Sequence, residues 1–317
     1  MLGLGLMGMS EFYGPAAPEE SLTTIRGALD AGVTLLDTGD FYGMGHGELL
    51  VAEALAGRDR SAVTLSVKYG ALRTPEGGWA GIDTRPAATA NFLGYSLRRL
   101  RTDHVDVYRP SRLDPAVPIE ETVGALAELV KAGHVRHIGL SEVGPETLRR
   151  AHAVHPVCDV QIEYSLFSRG VERRLLPVAR ELGVGITAYG VLSRGLLSGA
   201  WSSGRTVSPG DFRGYAPRFQ GQHLAHNLAL VEALRPIAQA RSATVAQLVV
   251  AWVASRGADV VPLVGARTPA QLADVLGAAD LTLTADELAA VEAAVPADAA
   301  AGSRYPDVVM HELDSER

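Results

Sequence analysis

Three side chains suited to proton transfer lie at or just beyond the ends of two apolar runs near the amino terminus. Lys68 ends Val63-Thr-Leu-Ser-Val-Lys-Tyr-Gly70, Asp37 follows Thr34-Leu-Leu, and Tyr42 lies in Thr38-Gly-Asp-Phe-Tyr-Gly43. Lys68 is one of two lysines in the chain, against 27 arginines. Arginine stays protonated at ordinary pH, whereas the pKa of a lysine moves with its surroundings, so a lysine kept where a buried strand should end points to chemistry. The other lysine, Lys131, precedes Gly133 at the end of a helical pattern, an ordinary place for a cation. Neighbouring strands lie about 5 Å apart, so Asp37 and Lys68 can meet beside Tyr42. An ammonium favours the phenolate, and a carboxylate holds the ammonium in place. Such a tyrosine gives a proton to a carbonyl oxygen and takes one back in reverse. The same residues would also make a buried Lys–Asp ion pair beside a core tyrosine, and spacing alone leaves the two readings even.

The elements that must position them alternate between short β-rich runs and longer helical patterns. Strands are expected near Leu2–Leu6, Thr34–Thr38, Val63–Tyr69, Val105–Arg109, His137–Ser141, Val160–Tyr164, Gly185–Tyr189 and Val260–Gly265. Helical patterns cover Glu19–Ala31, Gly47–Ala56, Pro86–Leu100, Pro118–Ala132, Glu146–Ala153, Val171–Leu182, Asn227–Ala240, Val245–Ser255 and Pro269–Leu276. Eight such units over this length predict an α/β fold of the (β/α)8 TIM-barrel type, with a doubly wound open sheet as the alternative. No repeat or linker divides the chain, so residues 1–317 read as one domain. Ala71–Arg85, Gly199–His226 and the tail from Pro296 are too long for simple connectors. The first two read as lids at the carboxy-terminal face and the tail as a third wall, although a mobile insertion would give the tail the same composition.

The bulk composition bounds the function. A hydrophobic content of 47% is ample for a core. No apolar run approaches the ~18 residues of a membrane span, and the amino terminus has no basic leader region. The single cysteine, Cys158, reads as a small apolar filler and fits a reducing cytoplasm. A net charge of −7 argues against a nucleic-acid surface. Oligomeric state is not legible.

At six points the sequence resembles the aldo-keto reductase superfamily. They are LLDTGDFYG (35–43), LSVKYG (65–70), HIGLSE (137–142), VQIEYS (160–165), TAYGVLSRGLLSG (187–199) and VPLVGARTPAQL (261–272). The segments occur in the family's order and span nearly the whole chain. The resemblance implies a (β/α)8 barrel that reduces small-molecule carbonyl substrates with NADPH and uses no metal. It places the catalytic aspartate, tyrosine and lysine on Asp37, Tyr42 and Lys68. The family's usual histidine, in a pattern like Y-x-Q-H-R-x-D-P, falls on Ser111 within Tyr108-Arg-Pro-Ser-Arg-Leu-Asp-Pro115. A serine can donate one hydrogen bond but takes no charge. The resemblance also admits another class of function, an NADPH-binding sensor with slow chemistry, as in potassium-channel β subunits, and Ser111 keeps that reading open.

Cofactor contacts follow from the same match. Ser141 and Gln161 would hold the nicotinamide carboxamide, with Glu142 where many relatives have asparagine, and Tyr189 would stack on the ring. Leu192, Arg194, Gly195 and Leu197 fall in the pyrophosphate-binding loop. Gly265 and Arg267 precede a helix amino terminus suited to a 2′-phosphate, and Gln271 and Asp274 match adenosine contacts. Val275 replaces a common asparagine there. Relatives carry an amino-terminal hairpin that closes the barrel floor, whereas here the first strand starts almost at once, so the floor is expected to be open or otherwise covered.

Other signals carry less. Gly3-Leu-Gly-Leu-Met-Gly8 matches a dinucleotide fingerprint, but no helix pattern follows it, so it reads as a strand running into a loop. His134/His137, His152/His155 and His223/His226 are spaced by three without companion carboxylates or cysteines, and read as solvated or capping residues. Phe12, Tyr13, Phe41, Trp79 and Tyr215 are loop aromatics that suit either an apolar pocket or loop packing.

Overall fold

Strands enclosed by a shell of helices must bury both faces, and the apolar runs do so. A computed structural model describes residues 2–316. Its barrel strands are β1 (Gly3–Gly5), β2 (Leu35–Gly39), β3 (Thr64–Tyr69), β4 (Val105–Pro110), β5 (Val135–Ser141), β6 (Val157–Glu163), β7 (Gly185–Tyr189) and β8 (Val260–Gly265). Their ends lie within three residues of the sequence reading, and Gly185–Tyr189 and Val260–Gly265 coincide with it. Each strand pairs in parallel with its sequence neighbours, and β8 returns to β1 with Leu4 opposite Val264. That closure makes a (β/α)8 barrel and excludes the open sheet.

The surrounding helices follow their apolar stripes. The helix Ile119–Lys131 buries Ile119, Val123 and Leu126 against the barrel, with acidic residues in its first turn and Lys131 in its last, as the helix dipole favours. Val245–Ala254 is buried along most of its length and starts at a capping box, Thr244 with Gln247. Three differences from the sequence reading stand out. Ala71–Arg73 pairs antiparallel with Trp79–Ile82 as a hairpin inside the first long loop. Val171–Leu182 is a short 3-10 turn, Gly170–Glu172, followed by the helix Leu175–Glu181. An unanticipated helix, Ala285–Ala294, starts at the Thr284/Glu287 capping box.

No strand precedes Gly3 among the described residues. At the lower end of β4, Asp106 pairs with Arg60 at 2.6 Å and Arg136 at 2.8 Å, so ion pairs occupy this part of the floor.

Candidate active site

Register brings Asp37 and Lys68 together at the upper ends of β2 and β3, with Tyr42 in the loop that follows β2. Asp37 stands opposite Ser66, and Gly39 opposite Lys68. The Lys68 ammonium donates to Asp37 Oδ1. Asp37 Oδ2 accepts from Ser66 Oγ at 2.7 Å and from Gln161 Nε2 at 2.8 Å. Lys68 Nζ lies 5.1 Å from the centroid of the Tyr42 ring, and all three side chains are buried. The expected lowering of the phenol pKa does not occur. Burial pushes Tyr42 well above the usual phenol value, the Asp37 carboxylate adds to this, and the Arg112 guanidinium only partly opposes it. Desolvation outweighs the Arg112 charge because a phenolate here would lose most of its hydration. Tyr42 therefore holds its proton at neutral pH. Burial also lowers the Lys68 pKa, although Asp37 pulls it back up.

Beneath the trio, charges cross the barrel interior. Arg109 donates to Ser66 Oγ at 3.0 Å and to Asp159 Oδ2 at 3.0 Å, and Thr187 also donates to Asp159. A side chain at Gly139 would meet Arg109 Cζ at 3.0 Å and Asp159 Oδ1 at 2.7 Å, so glycine makes room for this crossing. Sequence reading missed both charged residues. The signal was present as ionic residues interrupting two apolar strand runs, since buried charges persist only when paired.

Ser111 follows β4, its amide donating to Tyr69 O at 2.8 Å. Its hydroxyl is buried without a hydrogen-bond partner. The next residue, Arg112, was not singled out from the sequence, yet its charge is felt by Tyr42, Lys68 and Glu142.

Ser141, at the end of β5, stands opposite Gln161, two residues before the end of β6. Glu142 follows in a left-handed conformation, φ 54°. Its carboxylate takes a two-pronged contact from Arg304 of the tail, at 2.8 and 2.6 Å, and bonds from Tyr189 Oη at 2.7 Å and Ser315 Oγ at 2.6 Å. Burial alone would raise its pKa, but Arg304 and these donors hold it well below the usual carboxylate range. Tyr189 Oη also meets Tyr305 Oη at 3.0 Å. The tail thus forms the wall expected of it, through residues far from this site in sequence.

The remaining predicted residues spread along the rim. Arg194 pairs with Glu163 at 2.9 Å, as does Arg218 at 3.2 Å. The amides of Gly195 and Leu197 both donate to Leu192 O, and the Leu197 side chain is fully buried in the core. Gly265 ends β8 opposite Gly5. The Arg267 guanidinium donates to the carbonyls of Tyr13, Gly14 and Pro15, leaving its Nε buried without a partner. Gln271 Oε1 accepts from the Arg267 amide at 2.8 Å, and Asp274 accepts from Thr244 at 2.8 Å. Val275 is buried in the core.

Among the loop aromatics, Phe12, Phe41 and Tyr42 share one apolar cluster with Met7, Ala71 and Ile82, and Trp79 of the hairpin lies 5.8 Å from Phe41. This makes an apolar wall beside the reactive phenol. Tyr215 is exposed and packs edge-on against Phe212.

Asp40 lies behind that wall, its amide donating to Lys68 O. Burial first, and the nearby Glu48 carboxylate second, push its pKa up to about 8 against the pull of Arg99. The folded chain thus keeps a proton that the unfolded chain releases above about pH 4. Stability from this group is complete below that pH and is lost as pH rises through about 8. Wild-type Tm should fall by roughly 5 °C or more between about pH 5 and 8, and Asp40→Asn should flatten the slope. Thermal melts across that range check this, and parallel slopes would refute it.

The sequence matches the aldo/keto reductase family over residues 1–296. It is 37% identical to "Probable aldo-keto reductase 1" of Glycine max, over 98% of this chain and 89% of that protein. The fold is similar to that of the glycerol dehydrogenase AKR11B4 from Gluconobacter oxydans, with a TM-score of 0.84, 30% identity and coverage of 99% and 92% of the two chains. It is also similar to an aldo/keto reductase from Klebsiella pneumoniae in complex with NADP and acetate, with a TM-score of 0.74, 27% identity and coverage of 96% and 94%.

Proposed function

The chain belongs to the aldo/keto reductase family, and from that premise we propose that it reduces an aldehyde or ketone to the alcohol with NADPH in the cytoplasm, Tyr42 acting as general acid. The enclosed Asp37–Lys68 pair beside the Tyr42 ring carries this reading. Structures of aldo-keto reductases from Klebsiella pneumoniae in complex with NADP and with NADPH support the choice of cofactor.

The residues present fit that cofactor. Ser141 and Gln161 offer a hydroxyl and an amide near the ends of adjacent strands, where a carboxamide can be held. The orphaned Nε of Arg267, beside the amino terminus of Pro269–Leu276, suits a phosphate. Bound NADPH supplies the hydride. Tyr42 gives its proton to the carbonyl oxygen as charge develops there, and Lys68, anchored by Asp37, stabilises the phenolate left behind. Ser111 is the buried, unpartnered hydroxyl that can orient the carbonyl.

Arg267 is assigned the 2′-phosphate, so it must share or release the carbonyls of residues 13–15 when NADPH binds. Arg267→Ala should weaken NADPH binding by about 10–100-fold, the scale of charge-assisted hydrogen bonds, and change NADH binding little. Titration of tryptophan fluorescence with each cofactor measures this, and equal losses would remove the assignment.

The sensor reading rests on one observation, the Ser111 hydroxyl in place of a histidine. NADPH oxidation over a panel of aldehydes and ketones separates the two. Turnover abolished by Tyr42→Phe supports the reductase, whereas tight NADPH binding without turnover supports the sensor.

A further inference from the structure

Arg112 differs from the arginines around it. Arg194 and Arg218 share Glu163, Arg304 holds Glu142, and Arg73 pairs with Glu11. Arg112 forms no ion pair among the described residues; its Nη1 donates to the backbone oxygen of Ser111 at 2.6 Å. It is partly buried, yet its charge acts on Tyr42, Lys68, Glu142 and Tyr189. Its charge thus reaches both the Tyr42 phenol and the Glu142 carboxylate of the tail wall.

The loop carrying it is held firmly. The Ser111 amide is tied to Tyr69 O, and Asp114 accepts from the Thr84 amide at 3.1 Å and the Ala116 amide at 2.9 Å. Beside Arg112 lies the unpartnered Ser111 hydroxyl, 3% exposed. The Glu142 carboxylate favours the Arg112 charge from a distance, but no carboxylate among the described residues lies within ion-pair reach, so an anionic ligand would gain a charge-assisted contact. The remaining Arg112 donors form a planar fork that matches a carboxylate. The nicotinamide end of the cofactor bears no carboxylate, which leaves the substrate as the source of the anion.

We propose that Arg112 binds a carboxylate on the substrate while the Ser111 hydroxyl is left for the carbonyl, so that the site selects carbonyl compounds that also carry a carboxylate group. This rests on the reductase reading for its chemistry but not for its binding test. Rates with NADPH are compared for 4-carboxybenzaldehyde and benzaldehyde, and the binding of benzoate to the NADPH complex is measured separately by tryptophan fluorescence. Wild type should favour the carboxylated aldehyde in kcat/KM by at least about 10-fold, mainly through KM. Arg112→Gln should reduce that ratio and the benzoate affinity by about 10–100-fold, and Arg112→Lys should restore part of both. A ratio unchanged by Arg112→Gln, or benzoate binding equal in wild type and variant, overturns the assignment. If neither aldehyde is turned over, the reductase reading falls, and the benzoate comparison still decides the role of Arg112.

Discussion

Tyr42→Phe should lower kcat for NADPH-dependent carbonyl reduction by about 10²–10⁴-fold, the range for removing a general acid, and leave the NADPH dissociation constant within about threefold of wild type. The substitution is conservative for packing. Tyr42 is buried with its ring edge-on to Phe41 at 4.8 Å, in a cluster otherwise made of apolar side chains, and a phenyl ring keeps those contacts. Only the hydroxyl is lost. Because burial keeps that hydroxyl protonated at neutral pH, the wild-type enzyme always has the proton available, and the variant has no substitute of similar placement. Lys68 cannot replace it, since its ammonium is already committed to Asp37. Single-turnover rates measured beside a fluorescence titration separate chemistry from cofactor binding. A variant that retains more than about a tenth of the wild-type rate would take the proton-donor role away from Tyr42.

The parts of this site that depend on strand ends were legible in the sequence. Asp37 and Lys68 close apolar runs, and in a parallel barrel the ends of strands face the working mouth. Lys68 also stood out by residue type, in a chain that writes its positive charge almost wholly as arginine. Contacts made by residues distant along the chain were not legible. Glu142 and Arg304 are 162 positions apart, and no local pattern announces their pairing. Arg112 was hidden for another reason. An arginine in a loop after a strand ordinarily points to solvent, and only the fold shows that this one is partly buried and forms no ion pair among the described residues. Two misses had local signals. Thr74-Pro-Glu-Gly77 is a turn sequence between two short runs and marks the hairpin. Thr284 with Glu287 spells the capping box that starts the helix Ala285–Ala294. The sign of the Tyr42 shift was misjudged because a neighbouring cation can be inferred from sequence, whereas the depth of burial that outweighs it cannot.

Lys68→Met should abolish reduction to a similar degree and, unlike Tyr42→Phe, should also destabilise the fold. The Lys68–Asp37 pair is enclosed, with side-chain exposures of 5% and 3%. Removing the ammonium leaves the Asp37 carboxylate with only Ser66 and Gln161 as donors in a desolvated setting. Breaking a buried pair from one side costs about 3–5 kcal/mol, which for a chain of this size lowers Tm by roughly 6–12 °C. A second substitution separates structure from chemistry. Asp37→Asn in the Lys68→Met background removes the stranded charge while an amide oxygen still accepts from Ser66, so most of the lost Tm should return. Activity should not return, because the ammonium beside the Tyr42 ring is gone and Arg112 only partly favours the phenolate that Tyr42 leaves when it gives up its proton. Melting curves and turnover measured on both variants test the two halves separately. Recovery of turnover together with Tm in the double variant would mean that Lys68 serves the fold alone, and the proton chemistry would have to be placed elsewhere in the barrel mouth.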